Sequence, residues 1–428
     1  MQQGPLAAKD KNYLSRVIPY NQSSSQLTEE DKMGLEARFQ RMKEEGYIGA
    51  FKSVDILEGF TEEDIWEIFS TIVNELDALQ TDKKGGKSVE LELYFDITNG
   101  FRFFPMLMFS LINYVSAVQN CKLKQVLYGN YDAGMAVRQE ALGKLSEEQK
   151  AELRQQAVEA PIQILTNIVE LNQWTEAVEM FTKSADAYSL NKLLKDSVNV
   201  SEKKLGEELF ALTEAVKTCR GKELTQKLKL KETKKRIQSL KMDSSGGMKK
   251  QLKPLLNKIE SKINNFNSKT TENGFAAVEW CIQHGMVQQG YTFLQETLIS
   301  WLIEQTYNLS QIDDKHLRDI AKSALRQNNL YDKNGKKGTI NFCYKNTYWY
   351  PFTREQVKDK ANDLTNNRKK YRGLDSAFLE ITSERLGGLR NDINHSGYNK
   401  KAGSAKVLTQ ELQNLSNRIL QIIQPSYK

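Results

Sequence analysis

At 428 residues, 39% apolar and 27% charged, the chain is long enough for more than one hydrophobic core and polar enough to fold in water. Its formal charge of +7, from 61 Lys and Arg against 54 Asp and Glu, permits a polyanionic partner without requiring one. No window approaches the roughly 18 apolar residues of a membrane span, and the first residues, MQQGPLAAKDKNYL, lack the apolar stretch of a secretory signal, so a cytoplasmic protein with no membrane partner is expected.

In chain order, residues 1–50 are polar, with a short candidate strand at NYLSRVIPY and a charged helix across TEEDKMGLEARFQRMKEEG. FKSVDIL then reads as a strand, TEEDIWEIFSTIVNELDAL as a helix opened by a Thr cap with acids in its first turn, and SVELELYFDIT as a strand. FFPMLMFSLINYVSAV follows as a helix and KQVLYGNY as another strand. Strands alternating with helices imply parallel pairing, hence a Rossmann-like α/β unit over residues 51–135.

Beyond EAPIQILTNIVELNQWTEAVEMFTKSADAYSLNKLL the periodicity is helical to the C-terminus. Residues 202–265 are rich in Lys and Glu, with a turn expected at DSSGG (243–247) between two long polar helices, a helical hairpin. Its basic run KLKLKETKKR reads as a solvated helix face, with contact to RNA as the sharper alternative. Two helices follow in GFAAVEWCIQHGMVQQGYTFLQETLISWLIEQ, broken at Gly285, and His284 beside that glycine reads as a cap on the last carbonyls of a helix. YDKNGKKGTINFCYKNTYWYPFT (331–353) is a turn-rich, aromatic excursion, and the last helices run through DSAFLEITSERLGGLR and LTQELQNLSNRILQII. The fold class expected is therefore α/β plus all-α, with domains at 1–140, 141–270 and 271–428.

Cys121, Cys219, Cys281 and Cys343 lie far apart with no C-x-x-C pair and read as ordinary reduced thiols. A phosphate-binding G-x-x-x-x-G-K-S/T loop and an H-E-x-x-H pair are both missing from the text, which removes the commonest nucleotide-hydrolase and metalloprotease readings. Chemistry without a metal or other cofactor is expected.

The strongest chemical signal is LRNDINHSG, residues 389–397, which holds one of only three histidines. Arg390 and His395 are five residues apart, so on an undistorted helix, at about 100° per residue, they would point about 140° away from each other. The Asn394-His395-Ser396-Gly397 run, however, consists of helix-stopping residues, and a helix ending there would let the imidazole swing towards the arginine. Such a pair suits cleavage of RNA by its own 2'-hydroxyl. Histidine transfers protons near neutral pH, arginine grips phosphate oxygens through paired hydrogen bonds, and Asn391 or Asn394 can orient the phosphate. One histidine is too few for both acid and base, and a two-fold dimer would bring two copies of the motif to one interface.

RNDINH resembles the R-x4-6-H motif of HEPN ribonucleases, and YFDITNGFRFFPML resembles the D-x-T-H-G segment of CRISPR-associated CARF domains, with Asn99 where that family has histidine. The order, α/β unit, helical linker, then helical domain, is similar to that of type III CRISPR CARF–HEPN ribonucleases over most of residues 50–428. The resemblance implies a CARF-type sensor in 1–140, a helical linker and hairpin in 141–270 and a HEPN ribonuclease domain in 271–428. It further implies a homodimer or higher even oligomer, single-stranded RNA as substrate with a 2',3'-cyclic phosphate product, and activation by a cyclic oligoadenylate of unspecified ring size. By the same resemblance Thr98, Asn99, Gly100 and Arg102 would hold the activator's phosphates, a role that suits a flexible glycine between a strand end and a helix N-terminus. Only three good strands are visible, so the sensor domain is expected to be shortened. Two other readings stay open: a non-catalytic HEPN scaffold that binds RNA or dimerises, and an enzyme degrading the cyclic oligoadenylate itself.

Overall fold

The computed structural model describes residues 35–80, 90–98, 103–119, 121–155, 159–242, 249–267, 270–326, 354–371, 386–398 and 403–423. The expected strand at NYLSRVIPY, the DSSGG turn, the 331–353 excursion, most of DSAFLEITSERL, Cys343, and the candidate ligand residues Asn99, Gly100 and Arg102 lie outside these. The chain divides into two compact units, residues 1–170 and 171–428. The protein is mostly helical with one small mixed sheet.

In the first unit, α1 (Leu35–Glu44) precedes an irregular stretch at 51–60 and α2 (Glu62–Gln80). The start of α2 is set locally. Thr61 Oγ1 accepts from the Asp64 amide at 3.1 Å, while the Asp64 carboxylate accepts from the amides of Phe60 and Thr61, a reciprocal cap that satisfies donors the helix cannot. Next come β1 (Leu91–Asp96), α3 (Phe104–Val118), β2 (Cys121–Gly129), α4 (Tyr131–Leu142), α5 (Glu147–Gln155) and β3 (Ile162–Ile164). β1 and β2 pair in parallel, from Leu91 opposite Cys121 to Asp96 opposite Leu127, with α3 as the crossover. Leu93 and Phe95 of β1 pack against a cluster containing Ile68 of α2 and Leu111 and Val115 of α3, whereas Glu92, Tyr94 and Asp96 stay exposed.

Two expectations are corrected. FKSVDIL is not a strand. Its alternation is real, since Val54 and Ile56 are half-buried between exposed neighbours and Ile56 packs on the α2–α3 cluster, but the stretch joins no ladder. The third strand is instead β3, not among the expected strands, and it pairs antiparallel with β2, Leu127 opposite Ile164 and Gly129 opposite Ile162. The sheet, ordered β1-β2-β3, is therefore mixed rather than parallel throughout. All three residues of β3 are exposed, so its sequence carries no burial period to read.

The division between units falls within α6 (Thr166–Ser184). The second unit continues with α7 (Tyr188–Lys195), α8 (Val200–Lys217), a π-turn at Glu223–Lys227, α9 (Leu230–Met242) and α10 (Lys249–Lys262). α11 (Glu272–Gln283), α12 (Val287–Thr306), a 3-10 turn at Leu309–Gln311, α13 (Lys315–Arg326), α14 (Arg354–Lys370), α15 (Leu386–Asn394) and α16 (Ala405–Ile423) complete it. One hydrophobic core runs through it, from Ala177 of α6 to Ile423 of α16, so the linker and terminal segments share a single interior. α12 is the hub, packing against α11, α13, α14, α15 and α16. Its apolar residues face several sides, with Leu294, Leu298, Trp301 and Leu302 all sealed from solvent, as expected of a helix with neighbours all round. No helix among the described residues is long and apolar enough to cross a membrane.

The α11–α12 packing depends on a glycine. A Cβ on Gly274 would lie 2.2 Å from Thr297 Oγ1 and 3.0 Å from Thr297 Cβ, contacts that α12 can relieve only by shifting. Gly274→Ala is therefore expected to destabilise the protein by about 1–3 kcal/mol, although alanine favours a helix interior by about 1 kcal/mol. Urea unfolding checks this: Thr297→Ala in the Gly274→Ala background should recover part of the loss, and a Gly274→Ala protein as stable as wild type would show that the close approach is relaxed at no cost.

Candidate functional site

The Arg-Asn-Asp-Ile-Asn-His segment occupies the end of α15 and the turn after it. Leu386 is buried, and Leu389 and Ile393 pack against the core, anchoring one side of this short helix. After Asn394 the chain closes in a two-bond terminus. The Gly397 amide donates to Asp392 O at 2.9 Å and the Ser396 amide to Ile393 O at 3.0 Å, with Ser396 left-handed at φ 55° and Gly397 at φ 72°. His395 thus caps the helix instead of continuing it, and its side chain is exposed with no hydrogen bond among the described residues. Asp392, buried, accepts from the Gly403 amide at 2.8 Å and ties the motif to the start of α16. Asn394 Oδ1 accepts from Gln288 Nε2 at 3.4 Å, linking the helix end to α12, and Asn391 lies in the same helix.

Arg390 is three-quarters buried along its side chain, at 28% exposure, and its Nη1 stands 3.6 Å from Glu296 Oε1 of α12. Its Nε is buried without a hydrogen-bond partner among the described residues, so the guanidinium keeps donor capacity that the fold does not use. Glu296 also receives Arg318 Nη2 at 2.8 Å, and Arg318 further donates to Ser300 Oγ and the Ile312 carbonyl. Glu296 thereby stands between two arginines, on the wall of a cleft of about 310 Å³ that Lys222, Asp313, Thr292 and Cys219 also line. Burial pushes the Cys219 thiol up, opposed by the charges of Arg390 and Arg220, which places Arg390 within electrostatic reach of that wall. Arg390 and His395 make no direct contact among the described residues; they share a helix end, Arg390 set against Glu296 of α12 and His395 facing solvent. Neither Glu296 nor Arg318 stood out in the sequence. The signal available was a lone acid inside the apolar run FLQETLISWLI.

His284 occupies the same kind of terminus and shows the contrast. It caps α11 ahead of left-handed Gly285, φ 66°, with the Met286 amide bonded to Cys281 O and the Gly285 amide to Ile282 O. Its Nδ1 lies 3.0 Å from Lys183 O in the last turn of α6, so its ring caps a neighbouring helix rather than its own, and it packs on Trp280 at 5.1 Å between ring centroids. Its Nε2 is buried without a hydrogen-bond partner among the described residues. Burial, with Lys262 adding to it, holds the His284 pKa below the usual histidine value against the Lys183 bond. The unfolded chain then binds a proton more readily than the native one, so this histidine's contribution to stability is complete above about pH 6.5 and is lost as pH falls through the depressed native value. Urea midpoints measured from pH 7.5 to 5 should fall less in His284→Gln than in wild type; parallel pH profiles would remove this histidine from the account.

In the first unit, Thr98 follows β1 where the sequence places it, but its hydroxyl is already engaged. Thr98 Oγ1 donates to Asp96 Oδ1 at 2.5 Å and accepts from the Gly129 amide at 2.7 Å, joining the carboxyl ends of β1 and β2. Asp96 Oδ1 also accepts from the Thr98 amide, so the D-x-T pattern builds a closed strand-end turn. The described residues contain no cluster of metal-ligating side chains.

Two comparisons relate the chain to CRISPR-associated proteins. A family model described as CRISPR-associated protein MJ1674, second domain, matches residues 170–270, beginning at the boundary of the second unit and ending after the hairpin of α9 and α10. CRISPR-associated protein MJ1674 of Methanocaldococcus jannaschii is 24% identical over 320 residues, covering 73% of this chain and 44% of that protein. The chain thus spans less than half the length of the relative it matches, and the two findings support kinship with CRISPR-associated proteins.

Proposed function

We propose that the protein is a metal-independent endoribonuclease of the CARF–HEPN kind, acting as a homodimer on single-stranded RNA and switched by a cyclic oligoadenylate in type III CRISPR defence. The observation that carries the reading is the state of Arg390: a guanidinium held beside Glu296 with donors unspent, at the end of a helix whose cap is an exposed histidine. Arg390 would bind the scissile phosphate through its fork, and His395 would move the proton between the 2'-hydroxyl and the departing 5'-oxygen. Two protomers meeting around α15 would supply acid and base together, leaving a 2',3'-cyclic phosphate and a 5'-hydroxyl. Support for activation by a cyclic oligoadenylate comes from the DITNGFR resemblance and from the kinship with CRISPR-associated proteins. The activator would have to favour one dimer geometry over another, since binding both equally shifts nothing.

A fluorescent RNA cleavage assay in EDTA, with and without cyclic tetra- and hexa-adenylate, tests this on wild type and His395→Ala. Expected are cyclic-phosphate products from wild type, more with one ring size, and none from the variant. Cleavage that survives in His395→Ala, or that requires Mg²⁺, sinks the mechanism. Conversion of the cyclic oligoadenylate to linear products with RNA untouched would favour the ring-degrading alternative instead.

A further inference from the structure

Positive charge is unevenly distributed along this chain, and one of its densest stretches lies in the α9–α10 hairpin. Residues 227–262, KLKLKETKKRIQSLKMDSSGGMKKQLKPLLNKIESK, hold twelve Lys and Arg against three Asp and Glu, a net +9 in a chain whose total is +7, so the remainder is slightly acidic. α9 and α10 arrange this charge on one side. Leu230 and Ile237 of α9 and Leu256 and Ile259 of α10 are buried in the core, which turns Lys231, Lys235, Lys250 and Lys258 outward. A few cations are spent on structure: Lys241 pairs with Glu260 at 2.5 Å, Arg236 with Glu208 at 3.1 Å, and Lys234 donates to Asn264 O at 2.6 Å. Lys227, Lys231, Lys235, Lys250 and Lys253 have no ion pair or hydrogen bond among the described residues, whereas on other helices Lys144 and Lys183 pair with glutamates four residues earlier.

We infer that the outer face of the α9–α10 hairpin is a docking surface for the phosphate backbone of single-stranded RNA. Unpaired lysines concentrated on one pair of helices match a polyanion, and contacts to phosphate carry no sequence information. Residues 227–262 contain no Phe, Trp or Tyr on which bases would stack, and a single arginine, already paired to Glu208, so binding here reads charge rather than base identity. Anionic membrane is the weaker fit, because Leu230, Ile237, Leu256 and Ile259 are committed to the core and Met242 is the one strongly exposed large apolar side chain among the described residues of the two helices, too little to insert. This inference does not rest on the nuclease reading. A protein that binds through the hairpin and cleaves nothing leaves it standing, while one that cleaves RNA yet binds it without the hairpin overturns it alone.

The test is fluorescence anisotropy of 2'-O-methyl oligoribonucleotides, which cannot undergo 2'-hydroxyl attack, over a salt series. The full chain is compared with a variant carrying Gln at Lys227, Lys231, Lys235 and Lys250, and with a control of equal net charge carrying Gln at the exposed Lys192, Lys195, Lys315 and Lys358. The hairpin variant should lose roughly tenfold or more in affinity at low salt, and its slope of log affinity against log salt should flatten by roughly 0.7 for each phosphate contact removed. Oligo-A, oligo-U and oligo-C should bind alike, and the control should stay near wild type. Equal losses in both variants, an unchanged slope, strong base preference, or hairpin-dependent binding of phosphatidylserine vesicles in place of RNA would each overturn the proposal.

Discussion

Arg390→Ala is expected to slow RNA cleavage by about a hundred- to a thousandfold while leaving the protein folded. A positioned donor aimed at developing charge typically contributes about 2.7–4 kcal/mol to the transition state, and Arg390 is the group with such donors to spare at the end of α15. The structural cost is small. The side chain is partly exposed, its ion pair with Glu296 spans 3.6 Å, and Glu296 keeps Arg318 at 2.8 Å when Arg390 is gone, so no buried carboxylate is stranded. Arg390→Lys should recover only part of the rate, because an ammonium supplies charge without the planar fork. Single-turnover rates beside urea midpoints separate the outcomes. A large rate loss at unchanged stability supports the phosphate clamp, and a variant that cleaves at the wild-type rate makes the Arg390–Glu296 pair a packing feature.

The largest effect on stability is expected at Trp301. This side chain is fully buried in the C-terminal half of α12, with its ring centroid 5.0 Å from that of Tyr371 after α14. Trp301→Ala would open a cavity between helices that cannot all collapse onto it, costing about 3–5 kcal/mol, a large share of the stability of an ordinary domain. Its indole N–H is buried without a partner among the described residues, so Trp301→Phe removes an unsatisfied donor together with some volume and should cost less than about 1.5 kcal/mol. Loss of hydrogen-exchange protection along α12 with added urea gives the reading. A Trp301→Ala protein within about 1 kcal/mol of wild type would mean that the core of this unit repacks freely.

What the sequence determined by itself is what a short window can encode. The cap at Thr61 and Asp64, the crossover from β1 through α3 to β2, the break at Gly285 and the helix terminus after Asn394 all follow from periodicity and from groups a few residues apart, and each was legible. The concentration of charge in residues 227–262 was likewise written in the text, although which lysines stay unpaired was not. Tertiary structure decided the rest. Alternation in FKSVDIL reports half-burial, which an extended stretch lying on α2 and α3 achieves as well as a strand does, so only the missing ladder partner separates the two. β3 owes its strand to the free edge of β2, since a three-residue exposed segment has no periodicity of its own. The same holds at the candidate site: Arg390 and His395 are neighbours in sequence, but Glu296, Arg318 and the cleft beside them come from helices whose approach is set by the packing around α12, and no local pattern specifies which acid a partly buried arginine will meet.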